Sequence, residues 1–187
     1  MSVAAVVLAA GGSRRMGQPK VLIEIDGETL VRRAARRARE AGCDPVFVIA
    51  GAGAEAVAAA VSGLDVRVVE NRDWSRGIGS SIATGARAAT EERAAAVLVV
   101  LADQPDVEPA HLGRLIAAFR AGHDRAGTTY GDATGVPAIF GAAWFPSLCR
   151  LDGDRGAKDL LAGAHTVPTE PPRDIDTPGD LDFRQRG

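Results

Sequence analysis

Residues 2–20 constrain this chain more than any other stretch, because an apolar run passes directly into a glycine-rich, cationic turn. Ser2 to Ala9 reads as a buried strand, with Val3, Val6, Val7 and Leu8 separated by small alanines. Gly11, Gly12 and Gly17 then follow within a few residues, interleaved with Arg14, Arg15 and Lys20. Glycines let the backbone take positive φ and come close to a ligand. Successive N–H groups in such a turn point inward and form an anion nest. A strand that runs into an N–H-lined turn ringed by three positive charges is a place to hold a polyphosphate.

The rest of the chain alternates apolar runs with helix-like stretches. Val46 to Ala50 and Val66 to Glu70 read as strands flanking a helix over Ala54 to Val61. Ser80 to Thr90 reads as a helix with Ser80 and Ser81 at its N-terminus. Ala95 to Leu101 is the most apolar strand and is expected to lie centrally. A helix over Pro109 to Ala121 has its proline in the first turn. Arg125 to Tyr130 and Val136 to Phe140 read as later strands, and Ala157 to Leu161 as a short helix. This alternation predicts a three-layer α/β/α, Rossmann-like domain with a mainly parallel sheet, whose ligand site lies at the carboxyl ends of the strands. The 187 residues are the size of one domain.

Composition narrows the partners. The net charge of −2 gives no support for general binding to nucleic acid or to an anionic membrane surface. Arg32, Arg33, Arg36, Arg37 and Arg39 do cluster on a helix-like stretch. They read as a solvated helix face; an RNA-binding face would call for interleaved aromatic residues, which are absent there. Cys43 and Cys149 are far apart and form no CxxC pair, so neither zinc nor a redox couple is suggested. His111, His123 and His165 have no spacing suited to a metal site or triad. With no basic leader before the first strand and no apolar run long enough to span a membrane, a cytoplasmic location is expected.

The run Leu8-Ala9-Ala10-Gly11-Gly12-Ser13-Arg14-Arg15-Met16-Gly17-Gln18-Pro19-Lys20 resembles the signature loop of the nucleotidyltransferases that include the molybdenum cofactor cytidylyl- and guanylyltransferases. The family pattern L-A-A-G-x-S-x-R-M-G-x-x-K is met at each specified position. The resemblance implies that Leu8, Ala9, Ala10, Gly11, Gly12, Arg15 and Lys20 cradle a nucleoside triphosphate, and that Arg15 and Lys20 act catalytically on it.

Further segments extend the resemblance over nearly the whole chain. Asp103, just past the central strand, matches the family's aspartate there, which implies nucleotide, catalytic and Mg²⁺-binding roles; read locally, it is equally a turn aspartate. Asp174-Ile175-Asp176-Thr177-Pro178-Gly179-Asp180 resembles the family's C-terminal D-I-D-T-P-x-D. This makes Asp176 the second metal ligand, while Asp174 and Asp180 read as structural. The run Asn71 to Ile82 resembles N-x-x-W-x-x-G-[MI]-x-S-S of the cytidylyltransferase branch. Gly77 and Gly79 would then let the backbone approach the base and Ser81 would hydrogen-bond either the base or the acceptor, although Ser81 also reads as a helix cap. Gly135-Val136-Pro137 and Gly153-Asp154-Arg155-Gly156-Ala157-Lys158 resemble acceptor-side segments, which with Ser80 makes Ser80, Pro137 and Lys158 acceptor contacts. A lysine at a helix start is electrostatically odd unless an anion binds there; otherwise it is a solvated lysine.

The expectation is a Mg²⁺-dependent transfer of CMP from CTP to a phosphorylated small-molecule acceptor such as molybdopterin, with a molybdoenzyme as a further partner. A rival fingerprint competes with it. Gly51-Ala52-Gly53-Ala54-Glu55-Ala56 follows a strand and fits G-x-G-x-x-A, with Glu70 placed as a ribose-binding acid. That pattern suggests an NAD(P)H-dependent oxidoreductase. A guanylyltransferase of the same family, or a nucleotide-binding module without turnover, would also accommodate the glycine-rich turn.

Overall fold

The structure, a computed structural model, describes residues 1–11, 19–131 and 133–170. Seven strands form the main sheet: β1 (Val3–Ala9), β4 (Val46–Ala50), β5 (Arg67–Glu70), β6 (Ala96–Leu101), β7 (Arg125–Tyr130), β8 (Ala133–Gly141) and β9 (His165–Pro168). A separate two-stranded hairpin pairs β2 (Glu24–Ile25) with β3 (Glu28–Thr29). The sheet order is β5-β4-β1-β6-β8-β7-β9, which puts β6 at its centre, as its apolar run requires. β1, β4, β5 and β6 are mutually parallel. β8 runs antiparallel to both β6 and β7, and β9 is parallel to β7.

Among the described residues, five α-helices accompany these strands: α1 (Leu30–Glu40), α2 (Ala54–Ala60), α3 (Ile78–Glu91), α4 (Pro109–Arg120) and α5 (Phe145–Leu148). Alternate residues of β1 enter two different cores. Val3, Ala5 and Val7 pack with apolar residues of α1, α2 and α4. Ala4, Val6 and Leu8 pack with Ile82 and Ala86 of α3 and with Phe145 and Leu148 of α5. A strand covered on both faces is apolar throughout rather than alternating, and all seven residues of β1 are buried. The fold is therefore the expected three-layer α/β/α arrangement. At Gly85 a Cβ would come within 2.4 Å of Val6 Cγ1, so the glycine is what lets α3 seat on β1.

Local readings hold with specific exceptions. The Asp26-Gly27 turn of the β2–β3 hairpin has both residues at positive φ (54° and 75°), a known hairpin signal that the periodicity reading passes over. β9 is short and half polar, and it too escaped the sequence pattern. The Ala157–Leu161 segment is a five-residue 3₁₀ helix. α3 begins at Ile78, two residues before the expected start, with Gly77 at the cap position.

The arginines of α1 correct the solvated-face expectation. Arg33 is 7% exposed and donates to Ile25 O at 2.6 Å, pinning the hairpin to the helix. Arg32 donates to Ala60 O and Ser62 O, Arg36 grips Glu28 with two hydrogen bonds, and Arg39 pairs with Asp44 and Asp65. The planar fork of arginine reaches carbonyls and carboxylates at several points at once, so these side chains tie loops to the helix.

Candidate functional site

The chain leaves β1, moves outward through β4 and β5, and returns to β6 on the other side of β1. The carboxyl ends of β1 and β6 thus form a topological switch point, where α/β sheets open a crevice for ligands. Leu8 pairs with Leu101 at this edge, and Ala102 N donates to Leu8 O at 3.2 Å. The two segments with chemical character, after Ala9 and after Leu101, therefore emerge side by side.

They meet in one contact. Lys20 Nζ lies 3.0 Å from Asp103 Oδ2, across 83 positions of sequence. The lysine side chain is 12% exposed and the aspartate 31%. The lysine is thus largely sheltered, while the carboxylate keeps contact with solvent. Lys20 starts a short 3₁₀ turn, Lys20–Leu22, whose Val21 is buried. The turn that follows Asp103 is held by Arg37, which donates to Pro105 O at 2.6 Å and to Val107 O at 2.8 Å. Arg37 is a positioning residue whose target the sequence reading missed: the arginine cluster was visible, but the turn after β6 that it holds was not.

Leu8, Ala9 and Ala10 are buried, at 8%, 3% and 6% exposure, so they can offer a ligand only their backbone. Gly11 is exposed, and a Cβ there would meet nothing within 4 Å. Gly12, Arg15 and Asp176 lie outside the described residues.

A second polar centre forms where the chain passes from β5 into α3. Asn71, 3% exposed, donates from Nδ2 to Ser80 Oγ at 2.9 Å and Ser81 Oγ at 3.0 Å. Ser80 Oγ also lies 3.0 Å from Asp73 O and 2.8 Å from Gly77 O, where its hydroxyl donates. Neither serine is an N-cap: Ser80 binds carbonyls rather than the orphan N–H groups of the helix start. Gly77 and Gly79 also have a different neighbour from the one expected. A Cβ at Gly77 (φ 118°) would sit 2.4 Å from Gly153 O, and one at Gly79 would sit 2.7 Å from Asp152 N. The close approach that these glycines permit is therefore by the chain's own 152–155 loop.

Trp74 places this segment against the first. A Cβ at Gly51 would lie 2.7 Å from Ala10 O and from Trp74 Cβ and Cγ. The flank of the rival Gly51-x-Gly53 fingerprint is thus filled by the indole and by the end of β1, while Gly53 (φ 86°) takes the cap position before α2.

On the antiparallel side, Pro137 is buried and its carbonyl accepts from Thr128 Oγ1 at 2.6 Å. Two residues of β8, Val136 and Pro137, fall out of register opposite Gly127 and Thr128. The Val136 carbonyl accepts from Tyr130 Oη at 2.7 Å. His111 Nε2 lies 2.8 Å from Thr128 Oγ1, and Arg114 lies 2.9 Å from His111 Nδ1. Since Arg114 can only donate, Nδ1 accepts and the imidazole proton sits on Nε2. Burial, followed by the neighbouring Arg114 charge, pushes the His111 pKa down to about 4. Lys158 is exposed, in a helix of only five residues, too short for the dipole argument to carry weight.

Among the described residues, no group of three or more His, Cys, Asp or Glu side chains is placed to hold a metal. A Mg²⁺ ion bound through substrate phosphates needs less, since one or two carboxylates and several waters suffice. Asp103, a carboxylate at the switch point, fits that requirement. No described helix is long and apolar enough to cross a membrane.

A sheet that brings the end of β1, a lysine and a carboxylate together at its switch point belongs to the nucleotide-handling α/β class, and within it to the nucleotidyltransferase fold. Residues 5–169 match the model of the MobA-like NTP transferase domain, and the chain belongs to that family. It is 36% identical over 167 residues to nicotine blue oxidoreductase of Paenarthrobacter nicotinovorans, covering 85% of this chain and 81% of that one. It is 37% identical over 125 residues to a probable molybdenum cofactor guanylyltransferase of Opitutus terrae, covering 65% and 57%. The crystal structure of Rv0371c from Mycobacterium tuberculosis H37Rv superposes with a TM-score of 0.81 at 33% identity, covering 99% of this chain and 98% of that one. A second structure of Rv0371c, in complex with manganese, gives a TM-score of 0.77 at 32% identity, covering 99% and 97%.

Proposed function

We propose that this member of the family transfers CMP from CTP to the phosphate monoester of a small acceptor of the molybdopterin type, releasing pyrophosphate. The observation that carries the reading is the Lys20–Asp103 contact at the switch point, beside the open Gly11. An acceptor phosphate oxygen attacks the α-phosphorus in line while the bond to the bridging oxygen breaks. Such a transfer depends on positioning and charge stabilisation rather than on a protein nucleophile. Lys20, with Arg15, neutralises charge on the triphosphate and on the departing pyrophosphate. An acceptor that is already a dianion needs no general base.

Asp103, with Asp176, would hold Mg²⁺, which supplies further neutralisation of the phosphates when bound. The manganese in the Rv0371c structure supports a divalent metal in a relative. CTP rather than GTP follows from the resemblance of the Asn71–Ile82 segment. The segment of Gly77, Gly79 and Ser81 would bound the base, with the 152–155 loop packed on the two glycines as part of that wall, and Ser80, Pro137 and Lys158 would lie toward the acceptor. Because Ser80 and Pro137 are committed to internal hydrogen bonds, they shape the acceptor wall through their backbone positions.

A second reading is favoured by one comparison: a relative at 36% identity is an oxidoreductase by name. On that reading the domain binds a reduced nicotinamide dinucleotide at Gly51–Gly53.

A thermal-shift panel with CTP, GTP and NADPH, each with and without Mg²⁺, separates these readings, since a ligand raises the melting point by mass action. A Mg²⁺-dependent rise with CTP alone is expected. A rise with GTP alone overturns the choice of base, and a Mg²⁺-indifferent rise with NADPH overturns nucleotidyl transfer.

A further inference from the structure

Beside α3 lies a second polar cleft, whose lining includes neither Lys20 nor Asp103. Its volume is about 330 Å³, and three segments line it: Asp73 and Arg76 before α3, Ser80 and Arg87 on α3, and Arg150 and Asp152 after α5. That volume lies within the range of small-ligand pockets, about 300–1,000 Å³. Arg76 is neutralised by Asp152. Arg87 and Arg150 bond hydroxyls three residues earlier in the chain, Thr84 Oγ1 at 3.0 Å and Ser147 Oγ at 3.4 Å. Neither makes an ion pair among the described residues. A guanidinium held by a hydroxyl keeps its full charge and most of its donor fork, which suits two-point recognition of a phosphate or carboxylate. The chain as a whole is slightly acidic, so this concentration of cationic groups in one concavity is local.

We propose that the cleft is a second binding site, which takes a small phosphate-bearing anion between Arg87 and Arg150. Asp73, which also lines the cleft, disfavours anionic charge beside it and so orients the ligand. The inner wall includes Asn71 and Ser80, whose hydrogen bonds fix the turn before α3, so a ligand here braces that turn from outside.

Cys149 also lines the cleft and is half-buried, which provides a local reporter. Cys43 stays silent, because it is 2% exposed and burial pushes its thiol pKa up to about 12. The test is the rate of maleimide labelling at Cys149 with and without inorganic pyrophosphate, in the unmodified chain and in Lys20→Ala. Pyrophosphate is expected to slow labelling in both. In Arg87→Gln/Arg150→Gln, with an unchanged melting point, the protection is expected to disappear. Should the double variant fold poorly, Arg87→Gln alone should raise the half-protecting pyrophosphate concentration about tenfold, the value of one charge-assisted hydrogen bond. The proposal is overturned if pyrophosphate does not slow labelling of the unmodified chain. It is equally overturned if protection survives the loss of both arginines, or is abolished by Lys20→Ala, which would trace it to the first site.

Discussion

The two halves of the sheet handle polar groups in opposite ways. At the parallel edge, Lys20 and Asp103 meet as full charges with solvent still on one side. In the antiparallel half, His111, Thr128 and Pro137 O are joined in a sealed, neutral chain; His111 is 4% exposed and Thr128 0%. Charges are costly to bury without compensation, whereas a neutral imidazole between a hydroxyl and a guanidinium is satisfied in place. The first arrangement leaves capacity for a ligand, and the second spends all of its capacity on holding the irregular stretch of β8. The difference predicts that the parallel edge is sensitive in activity, and the antiparallel half in stability.

The sharpest way to break this contrast is Lys20→Ala. An ion pair at about 4 Å is worth on the order of 4 kcal/mol at an effective dielectric of 20. Turnover, followed by pyrophosphate release, should therefore fall by roughly a hundred- to a thousand-fold, with little change in melting temperature. Normal turnover in this variant would remove Lys20 from the site.

The antiparallel half should answer to pH instead. The unfolded chain takes up the His111 proton near 6.5 and the folded chain only near 4. This contribution to stability is complete above pH 6.5 and is lost as the pH falls toward 4, by about 3 kcal/mol in all. Denaturant titrations across that window should show the slope, and His111→Gln should flatten it. An unchanged slope would mean that the imidazole is not the group being charged.

A smaller effect is expected where the two halves lean on each other. Gly77→Ala must displace the Gly153 carbonyl and adopt an unfavourable φ, which should cost about 1–3 kcal/mol by equilibrium unfolding. A neutral outcome would show that the 152–155 loop yields freely. The smallest effect should come from Arg36→Ala. This surface residue is paired with Glu28, whose carboxyl it holds below the usual range, and the loss should be under about 1 kcal/mol and shrink with salt.

Much of the architecture was legible in the chain because burial on both faces leaves continuous apolar runs. Ser2 to Ala9, Val46 to Ala50 and Ala95 to Leu101 read as strands for that reason, and the central place of the last follows from its composition. The glycine-rich turn with Lys20, and Asp103 at a strand end, were likewise visible as separate signals. The Asp26-Gly27 hairpin and β9 were not, because each is too short for periodicity to register. The arginines of α1 misled in character, since a charged stripe looks the same whether it is solvated or stapling carbonyls of distant loops.

The sequence by itself determined the layers and singled out the candidate side chains, since both depend on residue type and local spacing. Only the tertiary structure decided what those side chains touch. The 3.0 Å contact between Lys20 and Asp103, the grip of Arg37 on the turn beyond Asp103 and the filling of Gly77 and Gly79 by the 152–155 loop all join residues at least about sixty positions apart. Contacts at that separation are set by strand order and helix packing, which no local pattern encodes.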